Sequence, residues 1–333
     1  MKKTLSIALN TLACTAIVSS ATFAQAADKP DTVSIGYFLE WPTANQVAQV
    51  NETYNKEMGV NVEWHAFDSG TAMSAAMASG GVDIAYSQGL VPFTIAVSQG
   101  LPITMVGVAV SYSKNDNCIV GSNTNITINN ANDLEGKNVA VPFGTVSHYK
   151  MLKIMEHLDI DIKKLRMLDM PPADGAAALA RGDVAMSCGW GGALRRMKEY
   201  GSELMSAEAQ EDIGIRVFDV ISASNSFAEE YPELVTQFLK VTDDANKNYQ
   251  MDPAAVQPII AKASGLSLND SNQVLGLFDF PLKEEQISEK WMGGSVQKFT
   301  KEVADFFVLQ KQMPRSLDDY SQTINASFYT KVN

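Results

Sequence analysis

The sequence predicts an α/β fold of two lobes joined by a hinge, and three observations carry that expectation. Strand-like and helix-like segments alternate from residue 32 to about residue 100, the signature of a parallel sheet with helices on both faces. A strand ending in a glycine and hydroxyl turn that opens a helix recurs after residue 138, so a second lobe repeats the device of the first. At 333 residues the chain is also longer than one hydrophobic core usually serves.

Lys2 and Lys3 precede an apolar stretch at 5–18, and Ala24-Gln25-Ala26 supplies a small-x-small cleavage pattern. This predicts an export signal over 1–26 and a mature chain starting at Ala27. The apolar run is too short to span a bilayer, and no later run has the length of a membrane helix. A lipidated Cys14 is the competing reading, against which Thr11 stands where such a signal wants a residue like Leu.

Residues 32–37 alternate as a strand, and the turn after it carries Glu40, Trp41 and Pro42. Thr43 is placed to cap one helix over 44–58, which Gly59 closes. A second strand spans 60–67. Ser69-Gly70-Thr71 then opens a small-residue helix over 72–78, and Gly80-Gly81 stops it. The third strand, 82–85, is expected to end in a second polar turn, Ser87-Gln88-Gly89, before a helix over 92–99. Residues 103–120 read as an extended crossing between lobes, broken by Ser113-Lys-Asn-Asp-Asn.

A linker at 127–132 and a strand at 138–142 lead to the turn Thr145-Val146-Ser147-His148, which opens a helix over 147–157. A strand at 165–170, a helix from Pro171 to Arg181 and a strand at 184–188 follow. The last of these leads into Gly189-Trp190-Gly191-Gly192 and a helix over 193–200. Residues 216–221, with Asp219 inside an apolar run, read as the return strand to the first lobe. The rest, to residue 330, reads as amphipathic helices with Pro232, Pro253, Pro281 and Pro314 at boundaries. The expected division is a first lobe of 27–118 plus 217–333 and a second of 119–216.

Composition narrows the function. Without Lys2 and Lys3 the net charge of −12 becomes −14, which argues against a nucleic-acid partner. Cys118 and Cys188 survive maturation; export permits a disulfide between them, and two buried free thiols are the alternative. Their spacing, with only three histidines in the chain, fits no zinc pattern, and no metal or cofactor is expected. There is no Ser-His-Asp set, supported carboxylate pair or phosphate loop.

The two turns of the first lobe and the Thr145 turn of the second would aim unpaired N–H groups outward at helix starts, an arrangement that suits an anion. Each turn taken alone is equally an ordinary N-cap. Asp219 calls for a partner, either a ligand ammonium or a structural salt bridge with Arg195, Arg196 or Arg216. Trp190 could lie over a ligand amine or sit in the core. His148 could donate to an anion or cap its helix. Glu40 and Trp41 could line the mouth of a cleft, or Glu40 could simply face solvent.

Taken in order, Phe67-Asp68-Ser69-Gly70, Ala78-Ser79-Gly80, Val82-Asp83-Ile84, Asp133-Leu-Glu-Gly-Lys, His148-Tyr149, Arg181-Gly182-Asp183, Trp190 and Phe218-Asp219-Val220 resemble periplasmic substrate-binding proteins of ABC importers, in the sulfonate and taurine-binding family. The resemblance implies a type II periplasmic binding protein fold with the ligand cleft between the lobes. It implies a monomer in the periplasm that captures taurine or a similar small sulfonate and delivers it to an ABC transporter permease, without catalysis or cofactor. It puts Asp219 at the ligand amine. The alternatives are another small zwitterion or anion, or an enzyme like the pyrimidine-precursor synthases, whose cysteine-rich motif is absent here. Three stretches depart from the family pattern: a slightly longer loop over 38–45, Gly191-Gly192 in place of an Ala-Pro pair, and Ser87-Gln88-Gly89-Leu90.

Overall fold

The computed structural model describes residues 29–332, so the expected export signal at 1–26 lies outside the described residues. In chain order the strands are β1 (Thr32–Phe38), β2 (Asn61–Phe67), β3 (Ile84–Gly89), β4 (Ile103–Ser111), β5 (Asp116–Gly121), β6 (Asn138–Val141), β7 (Arg166–Asp169), β8 (Met186–Trp190), β9 (Gly201–Glu203) and β10 (Phe218–Ser224). They form two five-stranded sheets, ordered β2-β1-β3-β10-β4 and β7-β6-β8-β5-β9.

Both sheets are mixed rather than purely parallel. β1 pairs parallel with β2 and β3, and β6 pairs parallel with β7 and β8. In each sheet one strand runs the other way: β10 lies antiparallel between β3 and β4, and β5 lies antiparallel between β8 and β9. The chain leaves the first sheet through β4, enters the second at β5 and comes back at β10. Each crossing feeds a strand one position in from the edge of its sheet.

The helices are α1 (Gln46–Val50), α2 (Thr53–Met58), α3 (Gly70–Ala78), α4 (Leu90–Ser98), α5 (Val146–His157), α6 (Pro172–Arg181), α7 (Gly191–Lys198) and α8 (Ala207–Asp212). The C-terminal part adds α9 (Asn225–Glu230), α10 (Pro232–Met251), α11 (Pro253–Ser264), α12 (Leu268–Leu275), α13 (Lys283–Gln286), α14 (Ser295–Leu309) and α15 (Ser327–Thr330). No helix among the described residues is long and apolar enough to cross a membrane.

Three expectations need correction. The single helix over 44–58 is two, because Glu52 takes a left-handed φ of 54° between them. Thr43 does not cap: Asn45 precedes α1, and the Thr43 hydroxyl donates to Asn45 Oδ1 at 2.7 Å. Ser87-Gln88-Gly89 is no solvent-facing turn but the buried end of β3, and α4 begins at Leu90 directly after it. The sequence reading also lacked β9 and α8, which are too short to show a hydrophobic period.

Cys118 and Cys188 stand opposite each other on β5 and β8 and form a disulfide, with Cα atoms 3.9 Å apart. The bond closes a loop of 70 residues, which in the chain-entropy account is worth roughly 4 kcal/mol. The long C-terminal helix α14 reaches across to the second sheet's helices. Tyr149 of α5 meets Phe299, Phe306 and Phe307 at ring separations of 6.3, 5.5 and 6.4 Å.

Candidate functional site

A tight cavity with about 20 Å³ of free volume lies between the two sheets, room for roughly one water. Phe38, Trp41, Gly70, Gly89, Pro92, Tyr112 and Asp219 line it from the first sheet, and Asp116, Thr145, Val146 and Trp190 line it from the second. A wider cleft of about 450 Å³ lies outside it and shares Phe38 and Trp190 as walls. Those two rings are 6.1 Å apart, so they stand between the inner cavity and the outer cleft.

Local sequence explains one half of the wall. Ser69 caps α3 by accepting from the Ala72 N–H at 3.2 Å, which sets Gly70 at the first position of the helix. Gly89 stands before α4, and Thr145 caps α5 by accepting from His148 N–H. Three helix starts, two from one lobe and one from the other, therefore border one cavity. First-turn N–H groups have no partner within their helix, and the aligned peptide dipoles favour negative charge there.

The other half is acidic. Asp219 is 2% exposed and accepts from Ser87 Oγ at 2.7 Å on one oxygen and from the Tyr112 hydroxyl on the other. Ser87 in turn accepts from Trp41 Nε1 at 2.9 Å. Irregular strand geometry sets this group up. Tyr86 and Ser87 together oppose Ile221, a bulge in β3, and Ser87 carries a left-handed φ of 61°. A non-glycine residue held there costs of order 1–3 kcal/mol, and such strain gathers at ligand sites. Burial raises the Asp219 carboxyl to about 8; the Tyr112 and Ser87 bonds oppose that rise and Asp116 adds to it.

Asp116 begins β5 and is 1% exposed. Its Oδ2 accepts from Ser147 Oγ at 2.9 Å, while Oδ1 is buried with no hydrogen-bond partner among the described residues. Burial raises this carboxyl to about 6, against the pull of Lys150 and the Ser147 bond. Lys150 donates to the backbone carbonyls of Ser113, at 3.1 Å, and of Asp116. Burial lowers the lysine below its ordinary range. Among the described residues no Lys or Arg side chain lines the cavity.

Of the residues singled out in the sequence, Trp41, Gly70, Gly89, Thr145, Val146, Trp190 and Asp219 meet at this cavity. Ser87 and Ser147 act one bond back, each holding an aspartate. Ser69 and Thr71 share a hydroxyl contact of 3.0 Å at the α3 cap. Gln88 is structural: its Nε2 donates to Ser74 Oγ and its Oε1 accepts from Ser222 Oγ, both at 2.7 Å. His148 lies off the cavity, stacked 5.0 Å from Phe143, with Nδ1 accepting from Gly144 N–H. Burial lowers it to about 4. Glu40 sits on the outer cleft, where Arg196 Nη1 donates to its Oε2 at 2.8 Å.

Among the described residues Asp219 forms no salt bridge with Arg195, Arg196 or Arg216. Arg195 meets Glu199 and Asp270, Arg196 meets Glu40, and Arg216 donates to Ser295. The sequence reading missed Phe38, Pro92, Tyr112 and Asp116. Asp116 stood in plain view inside Asn115-Asp116-Asn117, but three consecutive polar residues there read as a loop. They are buried, at 3%, 1% and 0% exposure, and that density of buried polar atoms is itself the mark of a site.

The NMT1/THI5-like family matches residues 44–256. The taurine-binding periplasmic protein of Escherichia coli (strain K12) is 32% identical over 289 residues, 85% of this chain and 88% of that protein. A putative aliphatic sulfonates-binding protein of the same organism is 28% identical over 52% of this chain and 54% of its own length. The alkanesulfonate-binding protein SsuA from Xanthomonas axonopodis pv. citri, solved bound to MOPS, superposes with a TM-score of 0.74 at 22% identity, over 90% of this chain and 99% of that one. That last likeness is one of fold.

Proposed function

The chain belongs to the NMT1/THI5-like family, and from that premise we propose that it is an extracytoplasmic solute-binding protein that captures taurine, or a closely similar amino-sulfonate, between its lobes and delivers it to an ABC permease. One observation carries the choice of ligand. The same small cavity is bordered by three helix N-termini and by two carboxyl groups, with no Lys or Arg in its lining.

A sulfonate is a permanent anion with three acceptor oxygens, and it fits several neutral donors at helix starts. An ammonium fits the acidic wall. A ligand carrying both, a short link apart, answers the whole site. An amine-free sulfonate would lie beside two buried carboxyls with nothing to offset them, and a simple amine would leave the helix starts unanswered.

Calorimetry on refolded, ligand-stripped protein tests the proposal. Taurine is expected to bind at micromolar Kd or tighter, with ethanesulfonate and ethylamine each roughly 100-fold weaker or worse, the loss of one charge-assisted contact set. No heat with any small sulfonate or amino-sulfonate would end the ligand assignment. Taurine is expected to come back unchanged after long incubation with the protein. The same proposal includes export through the signal at 1–26, a monomeric periplasmic protein, and lobes divided between β4 and β5, a few residues before the expected 118/119, and at 216/217.

A further inference from the structure

We propose that Asp116, presented by the second lobe, is a specificity-determining residue that holds the ligand's ammonium opposite Asp219, with Lys150 and Ser147 as its positioning residues. The inference rests on the reading of the site as an amino-sulfonate pocket.

Asp116 borders the cavity, is 1% exposed, and keeps one carboxyl oxygen, Oδ1, buried without a partner. An orphaned acceptor at such burial is costly and uncommon, and a donor delivered by the ligand removes the cost. The rest of the residue is fixed. Ser147, in the first turn of α5, holds Oδ2, and Lys150, one turn further along the same helix, binds the carbonyls of Ser113 and Asp116. Lys150 itself is 1% exposed and stays out of the cavity lining, so it steadies the crossing strand and leaves the ligand-facing oxygen free.

The position of this oxygen gives it a second consequence. Asp219 belongs to β10 of the first sheet and Asp116 to β5 of the second. An ammonium with several N–H donors placed between them binds both lobes at once, so the amine, and not the sulfonate alone, draws the cleft shut. Ligands without N–H groups on that nitrogen lose this bridge whatever their charge.

Two measurements test it. In the full mature protein, Asp116→Asn is expected to weaken taurine by about 10- to 100-fold, to leave ethanesulfonate binding unchanged or tighter, and to leave the melting temperature without ligand no lower than that of the parent. The parent protein, with no substitution, is expected to bind N,N,N-trimethyltaurine at least about 100-fold more weakly than taurine. Equal taurine affinity in the variant, an equal loss for taurine and ethanesulfonate, or a parent that accepts trimethyltaurine as well as taurine would each overturn the assignment of Asp116 while leaving the amino-sulfonate reading standing. A parent that binds no amino-sulfonate would remove both.

Discussion

Asp219 is where burial and ligand chemistry meet. Its carboxyl, raised to about 8 chiefly by burial, compares with about 3.9 in an unfolded chain. The sign follows from linkage: the stability this group contributes is fully present below about pH 4 and is lost as pH rises towards 8, because the unfolded chain gives up the proton more readily. Asp116 adds the same trend over the narrower span from about 4 to about 6. The ligand-free protein should therefore melt at a lower temperature at pH 8.5 than at pH 5, and Asp219→Asn should flatten that slope; an unaltered slope would remove Asp219 as its source. A bound ammonium favours the ionised carboxylate, so taurine binding near pH 7 should release protons. Calorimetry in buffers of different ionisation heat reads that release directly.

Among the elements, the start of α7 packs tightly against the loop after β1. Gly191 has φ +57°, and a Cβ placed there would lie 2.8 Å from the Glu40 carbonyl oxygen and 3.1 Å from a Trp41 ring carbon. At Gly192 a Cβ would lie 2.8 Å from Glu40 Oε2. The loop after β1 lays Glu40 and Trp41 on this helix start, and at Gly191 the backbone approach and the positive φ leave no room for a side chain. Gly191→Ala combines backbone strain of about 1 kcal/mol with that clash. It should weaken ligand binding by at least about 10-fold, because the clash lies between the lobes. A binding isotherm identical to the parent's would show that the lobes do not need this approach. The bulge at Tyr86-Ser87 is the counterpart in β3: one extra residue turns Ser87 towards Asp219.

For the whole molecule, α14 ties the lobes together away from the cleft. It packs on α4, and its Phe307 meets both His148 and Tyr149 of α5. Phe307 is 1% exposed, so Phe307→Ala should destabilise the protein by about 3–5 kcal/mol in urea unfolding; a loss below about 1 kcal/mol would mean that the helix is not a structural tie. The Glu40–Arg196 pair across the cleft is more than a third exposed on both sides and carries little stability of its own. Much of this architecture was legible beforehand. Alternating periodicity located nearly every strand and the helices up to about residue 200, the C-terminal helices being read only as one helical block; the change at 103–120 marked the first crossing, and an aspartate in an apolar run singled out Asp219. Periodicity could not show that β10 and β5 run antiparallel, because side-chain alternation is the same in either direction. It also took Ser87-Gln88-Gly89 and Asn115-Asp116-Asn117 for turns, since polar residues in a row read as solvated until the partners that satisfy them are known. By itself the sequence determined the two-lobed class, the helix starts and one acidic anchor, all of which depend on neighbours close in the chain. Only the tertiary structure decided that Tyr112, Asp116 and Asp219 share one cavity, because long-range strand pairing brings together residues about a hundred positions apart, and no local pattern encodes which strands will meet.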